Sequence, residues 1–166
     1  MLIVMHVNTM SKLLFLLLIQ CIAANVYASI DSCAGFDVKA GILDKGKDGY
    51  YYVSRETKII PMITIENNPN FRFGISIKSK NDSNFRIRAT VTIPKTTNLN
   101  FDRDIDPKVN NELITINFPE SDAPGESVLE NYFNNGDSLG LYIFKIYINN
   151  TYCNTIDFTA VRDNNS

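Results

Sequence analysis

Strict alternation of apolar and polar side chains in the middle of the chain is the feature that most restricts how it can fold. The segments "FRFGISIKS" and "FRIRATVTI" place an apolar residue at nearly every second position. These apolar residues are Phe71, Phe73, Ile75, Ile77, Phe85, Ile87, Ala89, Val91 and Ile93. A period of two residues is that of a β-strand with one face buried. The pattern therefore predicts two half-buried antiparallel strands here.

Further segments have the β-branched and aromatic composition that is typical of strands. They are "FDVKAGIL", "YYYVS", "KIIPMITIE", "LITINF", "LYIFKIYI" and "TIDFTA". Pro61 has no backbone N–H to donate, so its strand is expected at a sheet edge or at a bulge. About seven short strands without a long helix predict an all-β, antiparallel, Ig-like β-sandwich. The chain contains no Trp, so the Cys-Trp-Cys signature of antibody domains is absent.

The polar, turn-rich stretches 96–112 and 119–138 are predicted to be long loops. Within the second, "ESVLENYF" is expected to form a short helical turn that packs Val128, Leu129, Tyr132 and Phe133 inward. For the last two strands, a three-residue loop of Asn149 to Thr151 would pair Ile148 with Tyr152 and Phe144 with Ile156. That register places both apolar sets on one face, and it requires a left-handed residue at or near Asn150. It also turns Cys153 away from the main apolar face or places it at a twist near the sheet edge.

The N-terminus has the layout of a signal peptide. A basic residue, Lys12, precedes the apolar run "LLFLLLIQCIAA", and small residues follow up to Ala28. We therefore assign 1–28 to a signal peptide, 29–161 to the sandwich domain and 162–166 to a disordered tail, and expect a periplasmic or secreted protein. The apolar run is too short for a comfortable membrane span, and no second one follows. A lipid anchor on Cys21 is the less favoured alternative, because Gln20 stands where a small residue is normally required.

Removal of residues 1–28 would leave two cysteines, Cys33 and Cys153. An even number of cysteines in an exported chain favours a disulfide. Such a bridge would tie the N-terminal arm to the last strand. The alternative is two separate thiols that lie too far apart to join.

The residue inventory argues against catalysis and against cofactors. The sole histidine is His6, so imidazole-based triads and zinc sites are excluded from the exported chain. The motif formed by Asp102, Asp104 and Asp106 begins like a calcium loop, but Pro107 and Leu113 stand where Gly and Glu are needed. A loose calcium site or a metal-dependent hydrolase on these aspartates remains the minor alternative. Lys and Arg fall from 16 to 15 against 18 acids, a charge of 15 − 18 = −3 that does not suggest nucleic-acid binding.

Two groups of side chains are candidates for binding. If the two alternating strands form a hairpin, Lys78 faces Arg86, and like charges so placed invite an anionic ligand. This candidate anion-binding face comprises Arg72, Lys78, Lys80, Arg86 and Arg88. The alternatives are a neighbouring strand that supplies Glu56, Glu66 or Asp157, or a placement of the two strands in different sheets. Tyr50, Tyr51 and Tyr52 form the second group; at least one of them should be exposed and could anchor an interface, unless the strand is buried on both sides.

The segments "FDVKAGIL", "FRFGISI", "TVTIP" and "LYIFKIYINN…TIDFTAV" occur in the order found in a bacterial family. The chain resembles these small exported domains of unknown function, which have a predicted Ig-like β-sandwich fold. The resemblance covers most of the exported chain and implies fold and location, but no activity. Relatives often carry a longer polar motif after the "TVTIP" strand, where this chain has Pro94 and Lys95.

These observations favour a non-catalytic module that binds an envelope or secreted protein. Its expected surfaces are the Pro61 edge strand and the loops 96–112 and 119–138. The alternative is an accessory protein that binds anionic lipid or glycan with the basic strand face. Neither hypothesis requires a cofactor, a nucleic acid or a transmembrane segment after signal cleavage, and the oligomeric state is left open.

Overall fold

The computed structural model describes residues 33–95, 108–110 and 112–163, and all structural statements concern this part of the chain. It contains strands and no helix within these ranges. The strands are β1 (Phe36–Lys45), β2 (Tyr51–Glu56), β3 (Ile59–Met62), β4 (Arg72–Ser79), β5 (Phe85–Pro94), β6 (Lys108–Asn110), β7 (Leu113–Asn117), β8 (Ser121–Ala123), β9 (Glu126–Asn131), β10 (Gly140–Ile148) and β11 (Thr151–Arg162). The all-β prediction is confirmed, with more strands than the expected seven.

The strands form two sheets that pack face to face. The small sheet has the order β2-β1-β4-β9, and the large sheet has the order β3-β11-β10-β5-β7-β6, with β8 also paired to β5. The pairings are antiparallel except for β3 with β11. The strand that contains Pro61 is an edge strand of the large sheet, as its missing N–H predicts.

The core lies between the sheets and consists of the alternating apolar residues that the sequence singles out. Phe73, Ile75 and Ile77 from the small sheet are at most 1% exposed. They meet the buried faces of β5, β10 and β11. At one end, Phe73 stacks on Phe133 with 4.7 Å between ring centroids and meets Phe158 edge-on at 5.4 Å. Edge-to-face and offset rings of this kind add to the stabilisation that burial provides.

The aromatic end of the core includes a tyrosine, Tyr142, near the start of β10. Its side chain is buried, and its hydroxyl donates a hydrogen bond to the carbonyl oxygen of Ser138 at 2.8 Å. A tyrosine early in the penultimate strand that bonds to backbone a few residues upstream is a recurrent feature of Ig-like sandwiches. Burial raises the pKa of the phenol, and the nearby charge of Asp137 raises it further.

The β10–β11 hairpin corrects the predicted loop. The turn has two residues, Asn149 and Asn150, with φ angles of 49° and 65°, the left-handed pair that a tight hairpin prefers. Ile148 therefore pairs with Thr151 and not with Tyr152, whereas Phe144 pairs with Ile156 as expected. The register shifts between Ile146 and Tyr147, and this bulge returns both apolar sets to one face. The bulge and the two-residue turn together place both apolar sets on one face, which is the result expected of the longer loop.

Cys153 is the extra residue of this bulge, between Tyr152 and Asn154. It is partly buried against the core and forms a disulfide with Cys33, with the two Cα atoms 5.0 Å apart. The predicted bridge is confirmed. It joins residues 120 positions apart in the chain and fixes the segment that precedes β1 to the large sheet.

The stretch 119–138 is not the predicted loop with a helical turn. It contains β8 and β9, and β9 pairs with β4 along its whole length, with Leu129 opposite Ile75. Leu129 packs against the core as a strand residue, and Phe133 is buried beyond the end of β9. The open edge of β4 explains the difference, because pairing with it satisfies backbone groups that a single helical turn would leave free.

Several expectations fall on residues outside the described ranges. These are the signal peptide with its cleavage after Ala28, the lipid anchor on Cys21, the aspartates at 102, 104 and 106, and residues 164–166 of the tail. Strand β11 continues to Arg162, one residue past the predicted domain end. Within the described ranges, no helix combines the length and the hydropathy that a membrane crossing needs.

Candidate functional site

The outer face of the small sheet is built around residues with little or no side chain. Gly41 on β1 is paired with Gly74 on β4, and Ser76 follows on the same face of β4. A Cβ on Gly41 would overlap the carbonyl oxygen of Arg55 on β2, and one on Gly74 would overlap that of Leu129 on β9. The two glycines therefore let both neighbouring strands approach more closely than a side chain would allow.

Leu43 shows that this outer face is partly closed. It is 1% exposed although it belongs to the face of β1 opposite the core, where it lies against Gly74. Because residues of β2 and β9 cover this face from opposite edges, the small sheet must curl so that its two edge strands face each other. The outer face is thereby a groove, unlike the open face of a flat sheet.

The groove between β2 and β9 has a volume of about 680 Å³. That lies within the range of sites that hold small molecules or inserted side chains. Its lining consists of Asp48, Gly49, Tyr50, Tyr51, Tyr52, Pro124, Glu126, Ser127, Val128 and Glu130. We call it the tyrosine groove.

The three consecutive tyrosines occupy different positions at this groove. Tyr50, in the turn before β2, is 78% exposed, and Tyr52 is 50% exposed. Tyr51 is half-buried, and the Lys45 ammonium lies 5.8 Å from the centre of its ring. The turn is held by hydrogen bonds between Gly46 and Tyr50 and from the Tyr50 N–H to Asp48. The expectation that at least one tyrosine is exposed agrees with this arrangement.

Carboxylates give the groove its charge. Glu126 and Glu130 lie on β9, opposite Lys78 and Gly74 of β4, and Asp48 lies in the turn before β2. The Glu126 carboxylate accepts a hydrogen bond of 3.2 Å from the Ser76 hydroxyl. Three acids and no base are among the lining residues, and Lys45 and Lys78 lie beside them, so the lining itself carries an excess of negative charge.

The predicted basic strand face does not exist as one surface. Strands β4 and β5 belong to different sheets, so Lys78 does not face Arg86. The condition of a hairpin between these strands is not met, and the alternative that they lie in different sheets is the one observed, since alternation alone does not say to which sheet a strand belongs. Instead, Lys78 stands between Asp37 of β1 and Glu126 of β9, acids that differ from those expected to neutralise it.

The remaining members of that set are also engaged locally. Lys80 lies 3.9 Å from Asp37 and donates to the Ala34 carbonyl, and Arg86 forms an ion pair of 3.1 Å with Glu120. The guanidinium carbon of Arg88 lies 4.2 Å from the centre of the Tyr147 ring. Arg72 stacks on Tyr132 at 5.0 Å, with its Nε buried and lacking a hydrogen-bond partner among the described residues.

A second depression of about 630 Å³ lies where β5, β8 and the β10–β11 turn meet. Arg86 and Asp122 line it, and the side-chain oxygen of Asn149 accepts a hydrogen bond from the backbone N–H of Arg86 there. Glu66, whose pKa is lowered first by a hydrogen bond from its own backbone and then by Thr64, lines neither this depression nor the tyrosine groove. Within the described part of the chain, no group of three or more His, Cys, Asp or Glu side chains could hold a metal ion.

Sequence reasoning found one wall of the tyrosine groove and missed the other. The sequence indicates the three tyrosines as candidate interface residues, but it predicts a loop for Glu126, Ser127, Val128 and Glu130. Ser127 and Asn131 stand on the core-facing side of β9, and these polar residues hide the alternation that reveals a strand. The flanking Pro124 and Gly125 strengthened the appearance of a loop.

The two packed, largely antiparallel sheets and the hydrogen bond from Tyr142 to Ser138 are those of an Ig-like β-sandwich. The chain is similar in structure to an immunoglobulin-like protein from Pseudomonas aeruginosa, with a TM-score of 0.50. The two share 10% sequence identity over 78% of this chain and 99% of that protein, a likeness that shows the fold alone. No protein-family model matches the sequence, and a comparison with curated proteins found no match.

Proposed function

We propose that the protein is an exported, non-catalytic module that binds another protein through the tyrosine groove. The observation that carries this proposal is the pair of exposed tyrosines, Tyr50 and Tyr52, at the mouth of a groove between two edge strands. Exposed tyrosines supply large contact areas with little loss of side-chain entropy, and they are enriched at protein interfaces.

Export to the periplasm or the medium is supported by the disulfide between Cys33 and Cys153. Such bonds persist in oxidising compartments and are rare in the cytosol. The N-terminal residues have the composition of a signal peptide, and an Ig-like sandwich is a frequent fold among proteins of the cell surface.

A non-catalytic role is supported by the chemistry of the groove. Its lining residues are three tyrosines, three acids, one serine, one valine, one proline and one glycine, and the chain has no histidine beyond His6. This set therefore contains neither an imidazole base nor a thiol, so it lacks the nucleophile–base pairs that are typical of acyl transfer. The groove is suited to contact, not to bond cleavage.

Affinity capture with paired variants tests the proposal. The protein with a C-terminal tag is recovered from its native compartment, either unchanged or with Tyr50→Ala and Tyr52→Ala together. We expect a co-purifying protein in stoichiometric amount that the double variant loses by at least about tenfold, as truncation of two interface anchors implies.

The control is Leu141→Ala, which removes an apolar side chain of the large sheet that is 46% exposed, close to the 50% of Tyr52. It should leave the capture unchanged. Equal capture by the tyrosine variant and the wild type would refute the groove as the binding site. Retention on anionic vesicles that Arg86→Glu and Arg88→Glu abolish, with no protein captured, would instead favour the lipid-binding alternative.

A further inference from the structure

We propose that the tyrosine groove takes an extended segment of the partner that carries lysine or arginine side chains. This inference rests on the proposed function, because it assumes that the groove is a protein-binding site. It adds the chemistry of the occupant: a basic side chain enters the groove between the tyrosines and the carboxylates of β9, while its backbone follows an edge of the small sheet.

The balance of charges around the tyrosine groove favours a basic occupant. Asp48, Glu126 and Glu130 line the groove, and no lysine or arginine does so. The cations on this face of the small sheet already have neighbours. Lys78 stands between Asp37 and Glu126, and Lys39 lies 4.0 Å from Glu56. Lys45 lies over the Tyr51 ring and Arg72 over the Tyr132 ring. Lys78 is thus shared by two carboxylates, and Glu130 stands opposite Gly74, which has no side chain. The groove therefore retains an excess of negative charge that a basic ligand complements.

The tyrosine groove combines aromatic rings with carboxylates, and both attract a cationic side chain. A guanidinium or ammonium group is attracted to a tyrosine face and can pair with a carboxylate at the same time. The protein itself uses such ring contacts, since Arg88 lies 4.2 Å from the Tyr147 ring, Arg72 lies 5.0 Å from the Tyr132 ring, and Lys45 lies 5.8 Å from the Tyr51 ring. Tyr50 and Tyr52 expose rings beside the groove's carboxylates, and a partner's cation could occupy the same arrangement.

The tyrosine groove lies between two edge strands, and this position favours an extended occupant. β2 and β9 terminate the small sheet, so within the described residues each pairs with one neighbour in that sheet. The backbone groups on the other side of an edge strand can hydrogen-bond to an added extended segment. In such a segment every second side chain points the same way, which would direct its basic residues into the groove.

A peptide titration followed by nuclear magnetic resonance tests this inference. The probe is a capped hexapeptide of alternating valine and arginine, and the control peptides replace arginine with glutamine or glutamate. They are added to the ¹⁵N-labelled exported protein with its disulfide closed. We expect the arginine peptide alone to bind, to shift backbone amides of β2 and β9, and to bind more weakly as salt shortens the range of the charges.

Charge-removing variants locate the contact. Glu126→Gln combined with Glu130→Gln keeps the shape of the groove, and the glutamine at 126 can still accept the Ser76 hydroxyl. We expect about fivefold weaker binding of the arginine peptide, the combined effect of two exposed charge pairs. The control, Glu56→Gln with Glu112→Gln, removes the same charge outside the groove and should bind as the wild type does.

Three results would overturn the inference: no binding of the arginine peptide, equal binding of the glutamine peptide, or unchanged affinity in the groove variant. Their meaning is separable from a failure of the proposed function. If affinity capture still depends on Tyr50 and Tyr52, the groove remains a protein-binding site and its occupant is not basic. If that dependence is lost as well, the proposed function itself is wrong.

Discussion

At the scale of single residues, Tyr142 joins the aromatic end of the core to the chain that enters β10. Replacement with Phe keeps the ring contacts with Phe73 and Phe133 but leaves the Ser138 carbonyl without its donor. We expect a loss of about 1 to 2 kcal/mol in the free energy of unfolding, measured by urea denaturation at neutral pH. A Tyr142→Phe protein as stable as the wild type would show that the hydrogen bond contributes nothing.

The same residue predicts a pH effect. Its pKa in the folded protein is raised above the usual value of about 10, chiefly by burial. The unfolded chain therefore loses the phenolic proton first, and the stabilisation is complete below pH 10 and declines above it. Between pH 9 and 11 the wild type should lose about 1 kcal/mol more than Tyr142→Phe does. Parallel pH curves for the two proteins would contradict the assignment.

Asn150 supports a third prediction at this scale. Its φ of 65° is costly for most residues but not for glycine. Asn150→Ala should lower the free energy of unfolding by about 1 kcal/mol, whereas Asn150→Gly should be nearly neutral. Equal losses for the two variants in urea denaturation would mean that the side chain, and not the backbone conformation, stabilises the turn.

At the scale of elements, Gly74 is what allows β9 to lie close to β4. A Cβ there would overlap the Leu129 carbonyl oxygen, whereas a Cβ on Gly35 would meet nothing within 4 Å. Gly74→Ala should therefore lower the free energy of unfolding by about 2 kcal/mol or more, and Gly35→Ala should change it little. Similar thermal midpoints for the two variants would show that β9 can move outward without cost.

The elements also show how far the sequence predicts this fold. Alternation identified the core-facing residues of β4, β5, β10 and β11, because burial of one strand face imposes a period of two. It did not identify β9, whose core-facing side includes Ser127 and Asn131, nor the bulge at Cys153. It also could not assign β4 and β5 to separate sheets, because a strand's pattern is the same whichever partner it pairs with.

At the scale of the whole molecule, the bridge between Cys33 and Cys153 closes a loop of 120 residues, nearly all of the sandwich. The even number of cysteines and the expected export predict its presence, whereas its geometry depends on the bulge. Replacing both cysteines with serine should cost about 4–5 kcal/mol in the chain-entropy account, since the unfolded chain gains freedom. Non-reducing denaturation curves of the two proteins measure this loss, and coincident curves would contradict it.

The tyrosine groove exists because the two edges of the small sheet curl toward each other, so it is a property of the whole sandwich and not of one segment. Neither the tyrosines nor the acids of β9 indicate a site alone. Between 74 (126 − 52) and 80 (130 − 50) positions separate them in the chain, and folding brings them to one groove. The claim that most needs testing is that a partner protein occupies this groove.

Site-specific photocrosslinking in living cells tests that claim most directly. A photoreactive phenylalanine analogue replaces Tyr52 in one strain and Leu141, on the large sheet and about equally exposed, in another. The account predicts one discrete protein adduct from position 52, none from position 141, and a lower yield of the adduct when Glu126→Gln and Glu130→Gln are added. Adducts of equal yield from both positions, or none from position 52, would contradict it.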